Sequence, residues 1–142
     1  MKFSTILYIL VMTISTVTQA EEKKLASCPN SPNCVSSQAT DEGHFITPFK
    51  ITGNVEGAWA ALKNALISQS RTVITSETSD TLHAEAPSLV FRFVDDVDAI
   101  LDADARLIHI RSASRTGYGD FGVNRKRVEM LRSQLQQAHV IE

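Results

Sequence analysis

The chain has 142 residues, 43% of them hydrophobic, and 14 Lys and Arg stand against 16 Asp and Glu for a formal net charge of −2. That length suits one domain with a real core, and no low-complexity tract or internal repeat is visible. The mild acidity excludes bulk nucleic-acid binding, which needs a basic footprint.

Residues 1–20 read as a targeting segment. Lys2 precedes a mostly apolar run from Phe3 to Val17, and Thr18-Gln19-Ala20 places small residues before Glu21. This is the layout of a Sec signal peptide. The run is too short, and too rich in Ser and Thr, for a membrane span of about 20 apolar residues. The sequence therefore predicts export to the periplasm or beyond, with cleavage after Ala20 and no stable membrane anchor afterwards; an uncleaved anchor is the competing reading. Cleavage leaves 122 residues with a net charge of −3. Leu25-Ala26-Ser27-Cys28 has the form of a lipobox, but the charged stretch from Glu21 to Lys24 separates it from the apolar run.

Residues 21–43 form an N-terminal segment around Cys28-Pro29-Asn30-Ser31-Pro32-Asn33-Cys34, which holds both cysteines of the chain. In an exported protein the default is a disulfide, and the prolines and asparagines supply turn geometry that brings the ends together. Closing so small a ring contributes about 2.4 kcal/mol by chain entropy. A zinc site would need two further ligands, and a redox pair is more typically C-x-x-C. A structural clip is the expectation, with redox, metal and lipid chemistry as minor alternatives.

Residues 44–142 read as a single α+β domain. His44 to Thr52 is predicted as a strand, with Pro48 marking an edge. Asn54 is placed as the cap of a helix ending near Ser70, whose Val55, Ala58, Trp59, Leu62, Ala65 and Leu66 recur at helical spacing. Trp59 is expected in the core, its ring N–H with a partner. Strands follow over Arg71–Ser79, Thr81–Ala86 and Ser88–Val94. Asp95-Asp96 reads as a bend, Val97–Leu101 as extended chain, and Asp102–Asp104 as a tight turn. Arg106 to Ser112 is the last strand, with Ile108 and Ile110 on one face and His109 and Arg111 on the other. A second helix is predicted from an Asn124 cap to about Ala138, with Val128, Leu131, Leu135 and Ala138 as its stripe. The expected architecture is a two-layer α+β sandwich, a curved antiparallel sheet of about five to six strands with two helices on one face.

Three motifs, CPNSPNCVSSQA, LHAEAPSLVFRFVDDVD and IHIRSASRTGYGDFGVNRKR, resemble the family of small proteins catalogued as domain of unknown function 1499. The similarity runs from Cys28 to about Leu135. It implies a domain and carries no catalytic residue with it.

Chemistry concentrates between Ile108 and Arg127. Three cations, Arg125, Lys126 and Arg127, follow the predicted Asn124 cap, where they oppose the positive end of a helix. Something negative belongs nearby, a carboxylate of the protein or a bound anion. Arg111, Arg115, Arg125 and Arg127 offer guanidinium forks that suit carboxylate, phosphate or sulfate. Tyr118 can flank a ligand, Asp120 and Asn124 sit at the helix start, and Arg92 and His109 extend the candidate set. Against this stands internal pairing: Asp95, Asp96, Asp98, Asp102 and Asp120 suffice to neutralise these arginines, and Glu129 lies four residues beyond Arg125.

A second reading places His83, Glu85, His109 and Arg92 on the polar sheet face, where they bind a metal or help a histidine activate Ser112 or Ser114. The chain has neither H-E-x-x-H nor G-x-S-x-G, so no metal, cofactor or catalytic residue is assigned. A third reading is a protein–protein interaction module of the cell envelope. The sequence thus favours a non-enzymatic exported domain that binds a small anionic or polar ligand through its Arg/Gly-rich loop.

Overall fold

The structure, a computed structural model, describes residues 22–88 and 93–142. The signal-peptide reading, Arg92, and most of the strand read over Ser88–Val94 lie outside the described residues. Eight elements follow in order: β1 Cys34–Ser36, β2 Phe49–Lys50, α1 Val55–Ser68, β3 Val73–Glu77, β4 Thr81–Pro87, β5 Val94–Asp102, β6 Leu107–Ser114 and α2 Val123–Gln137. The six strands make one antiparallel sheet in the order β1-β6-β5-β4-β3, and β2 pairs with β6 beside β1. The fold is the expected α+β sandwich.

The chain starts on one edge with β1 and β2. α1 carries it to the far edge, and β3 to β6 meander back until β6 meets the starting strands. Alternation decides the faces. Leu82 and Ala84 on β4, Val97 and Ala99 on β5, and Ile108 and Ile110 on β6 are all buried. They form one cluster with Trp59, Leu62 and Leu66 of α1 and with Val128, Leu131 and Leu135 of α2. Burying side chains of this size contributes about 1.5–3 kcal/mol each. Among the described residues no helix is long and apolar enough to cross a membrane.

α1 begins as predicted: the Asn54 side chain accepts from the Gly57 N–H at 2.6 Å, which satisfies one of the otherwise unpaired first-turn donors. Other expectations need correction. The first strand, expected over His44–Thr52, is reduced to two ladder residues, and three more strand residues come from Cys34–Ser36, pairing with Ala113, Ser112 and Arg111. Asp95-Asp96 is no bend; both lie inside β5, opposite Ser114 and Ala113 of β6. β4 ends at Pro87, and the Ser88 N–H donates to the Phe93 carbonyl at 2.7 Å. Trp59 is buried, yet its Nε1 has no partner among the described residues, because the apolar cluster surrounds it. Ala138 does not join the stripe of α2; it is exposed at the C-cap.

Cys28 and Cys34 are joined in a disulfide. Its ring is tied inward by Asn33, whose carbonyl accepts from the Ser114 N–H at 3.0 Å and whose Nδ2 donates to the Gly117 carbonyl at 2.8 Å. The clip therefore anchors β1 and the glycine loop together.

Candidate functional site

The start of α2 is built differently from the sequence expectation. Gly122, at φ 75°, is the N-cap, and Asn124 lies inside the first turn, fully buried. The capping acceptor is Asp120, which takes the Gly122 N–H at 2.8 Å, the Asn124 N–H at 3.1 Å and the Asn124 side-chain amide at 2.8 Å. Partial burial pushes this carboxyl up, but the donors of Asn124 and Gly122 outweigh it and hold it below its ordinary value. The negative group expected beside the three cations is thus supplied by the protein itself.

Asn124 ties the helix to the sheet. Its Oδ1 accepts from Ser112 Oγ at 2.7 Å and from Arg127 at 2.8 Å, while its Nδ2 donates to the Asn33 carbonyl at 3.1 Å. Ser112 is fully buried on the helix-facing side of β6, whereas His83 and His109 belong to the opposite face. Ser114 Oγ accepts from Asn124 as well. Neither serine meets a histidine, so the Ser–His pairing considered from the sequence is not formed. His109 Nδ1 lies 3.3 Å from Ser37 Oγ instead.

The four arginines do not converge. Arg127 reaches Asp95 at 2.7 Å on the helix side of the sheet, both side chains nearly buried. Arg115 crosses to the polar face, bonding Asp96 at 2.7 Å and Glu85 at 2.5 Å, and these two carboxylates raise its pKa above the ordinary arginine value. Arg111 lies on that same face, 3.6 Å from Asp98. Arg125 points to the neighbouring loop, donating to the carbonyls of Phe45 at 3.0 Å and Gly43 at 3.2 Å. Glu129 pairs with Arg132 and not with Arg125. Tyr118 is 72% exposed and Phe121 98%, the latter at a left-handed φ of 53°.

One cleft stands out, and its outline was not readable from the sequence. About 610 Å³ lies between the end of α1, the end of β4 with the start of β5, and the exposed side of α2, within the range of small-ligand sites. Ala86, Pro87, Val123 and Met130 give apolar wall, while Arg71, Lys126 and Arg127 bring positive charge. Arg127 is answered by Asp95. Arg71 donates only to the Pro87 carbonyl and Ser70, and Lys126 has no ionic partner among the described residues, so the lining carries two cations unmatched by carboxylates. Arg71 also holds a left-handed φ of 59°, the kind of local strain that gathers at functional positions. Gln69 Nε2 and Gln134 Oε1, on two residues that line the cleft, are buried and have no hydrogen-bond partner among the described residues. The only sequence signal for this place was Lys126 and Arg127; Gln69, Arg71 and Gln134 carried none.

The sequence matches the family described as "Protein of unknown function (DUF1499)" over residues 24–135. No curated protein matches the chain.

Proposed function

The chain belongs to the DUF1499 family, and from that premise we propose that it is an exported, non-catalytic domain whose α1–α2 cleft binds a small anionic ligand with an apolar body. The observation that carries the reading is the pairing of unmatched charge with unmatched amides. Arg71 and Lys126 flank the cleft without carboxylate partners, and Gln69 and Gln134 leave a donor and an acceptor unsatisfied beside them. A buried polar atom without a partner costs about 1–3 kcal/mol, a cost removed when the two side chains turn outward to a ligand carrying one acceptor and one donor. Apolar contact with Val123 and Met130 favours a carboxylate or phosphate attached to a hydrocarbon portion over the bare ion. The Cys28–Cys34 disulfide supports an oxidising compartment. This reading keeps the anionic ligand of the sequence analysis and moves its seat from the glycine loop to the cleft behind it.

A thermal-shift panel of phosphate, sulfate, short and medium-chain carboxylates and lipid head groups tests it. A ligand at 100 times its Kd stabilises the fold by about 2.7 kcal/mol. The expected result is a shift with amphiphilic anions that Lys126→Ala or Arg71→Ala removes and Arg125→Ala keeps. A shift lost only in Arg125→Ala returns the ligand to the glycine loop, and a flat panel sinks both seats.

One observation favours a second reading, a docking module for an envelope protein. Phe121 and Tyr118 are displayed on a loop that Asn33 and Asp120 hold in place. A photo-crosslinker at position 121 that gives one discrete protein adduct in cells supports that reading, and the absence of any adduct removes it.

A further inference from the structure

The polar face of the sheet carries a side-chain cluster that the cleft reading does not use. Glu85 on β4 stands directly opposite Asp96 on β5, and His83 directly opposite Asp98. Like charges facing each other across a ladder are unfavourable unless a cation joins them, and Arg115 does so here. With Arg111 near Asp98, three carboxylates face two guanidiniums around the His83 ring.

His83 is held in an orientation that matters. Its Nδ1 lies 2.6 Å from Asp98 Oδ1, and its Nε2 lies 3.3 Å from Asp96 Oδ1. When the ring is neutral and gives its one proton to Asp98, the Nε2 lone pair points at the lone pairs of a carboxylate. That contact is repulsive unless a second ring proton or a metal cation stands between the two atoms. A carboxylate on the far nitrogen is the arrangement that fixes metal-binding histidines in tautomer and direction. The distance fits as well. Bonds of about 2.0–2.1 Å at a tetrahedral angle put two zinc ligands about 3.3 Å apart. Ligand atoms of His83, Glu85 and Asp96 all lie within 4.8 Å of one another, so a change of Glu85 rotamer completes a three-ligand set.

We propose that His83 Nε2, Glu85 and Asp96 form a binding site for one divalent transition-metal ion of the zinc class, with Asp98 orienting the histidine and Arg115 acting as a resident competitor for the two carboxylates. The site lies on the opposite sheet face from the cleft and does not depend on it. The structure replaces the second histidine of the sequence reading, His109, with Asp96, because His109 is turned to Ser37. His-x-Glu along one strand with a carboxylate across the ladder leaves a fourth position open to water or a ligand.

The competitor makes the test specific. Co²⁺ and Zn²⁺ are titrated into the tag-free protein by calorimetry and by the visible absorption of Co²⁺, whose intensity reports tetrahedral geometry. One equivalent is expected to bind. His83→Ala and Asp96→Asn should each weaken binding by at least tenfold. Asp98→Asn should weaken it severalfold at unchanged stoichiometry, within the 10–100-fold span of outer-shell partners. Arg115→Gln, which removes the competing charge, should tighten it by about tenfold. Circular dichroism checks that each variant is folded, and Arg115→Gln gives a gain that misfolding cannot imitate. The proposal is overturned by the absence of saturable binding, by binding that survives His83→Ala, or by an Arg115→Gln variant no tighter than the parent. The last outcome would leave a salt-bridge network and no metal site.

Discussion

His44 meets two acceptors at once: its Nε2 lies 2.8 Å from the Ser31 carbonyl and its Nδ1 2.6 Å from Asp41. Only the imidazolium donates to both. The Ser31 carbonyl, followed by Asp41, raises its pKa against the opposing effects of burial and of Arg125. Asp41 is lowered on balance, its exposure to burial being outweighed by the same histidine. The signs follow from linkage. The His44 contribution is complete below its unfolded value of about 6.5 and is lost as pH rises through the higher folded value. The Asp41 contribution is present above its unfolded value and is lost as pH falls through the lowered one. His44→Gln should therefore destabilise the protein most near pH 5.5 and less at pH 9, measured as urea midpoints; equal losses at the two pH values contradict the pairing. Asn124→Ala acts by another route. It removes one bond each from the Asn33 carbonyl, Ser112 Oγ and Arg127, which keep the Ser114 N–H and each other as partners, so a loss of about 1–2 kcal/mol is expected in urea unfolding, below the full cost of stranding buried groups.

At the level of elements, α2 shows how a helix can begin with three cations. Asp120 supplies the carboxylate at its positive end, and Gly122 supplies the left-handed turn into it. Asp120→Ala should lower stability by about 1–2 kcal/mol, and Asp120→Asn, which keeps an acceptor, by less; equal urea midpoints for the two variants would show that a neutral acceptor contributes nothing and that the charge carries the whole effect. Asn124 was read as the cap because asparagine favours that position, whereas its real partners, Asn33 and Ser112, come from elements far away in sequence. α1, β4 and β6 were legible because long alternation or helical spacing marks a half-buried element. β1 and β2 were not, since three and two residues hold no period and exist only through pairing with β6. Asp95-Asp96 misled because aspartate is depleted in strands, and Arg127 and Arg115 compensate the pair in space. The arginines were visible as cations; which carboxylate answers each depends on ladder register. The cleft draws on two helices and two strands, so no single stretch of sequence outlines it.

For the whole molecule, the sheet's two faces divide the labour. One face is sealed by helices around a single core, and the other is a charged surface crossed at one margin by the N-terminal segment. That segment is held by Lys23 to Asp80, by the Leu25 N–H to Gln38 at 2.7 Å, and by the disulfide. β1, the strand that closes the sheet beside β6, starts at Cys34 itself. Breaking the ring should therefore act twice. Freed from a seven-residue loop, the unfolded chain gains entropy worth about 2.4 kcal/mol. That accelerates exchange of amides opened only by global unfolding, such as those between β4 and β5, by about 60-fold. The edge should respond more strongly, because the Ser36, Ser37 and Ser114 amides donate across contacts that the clip aligns, to the carbonyls of His44, Ile110 and Asn33. Hydrogen exchange of the reduced and oxidised protein separates the two effects residue by residue. Larger acceleration at those three amides than in the β4–β5 ladder is the expected result. A uniform change would mean that the disulfide acts on the unfolded chain alone and that the edge holds itself.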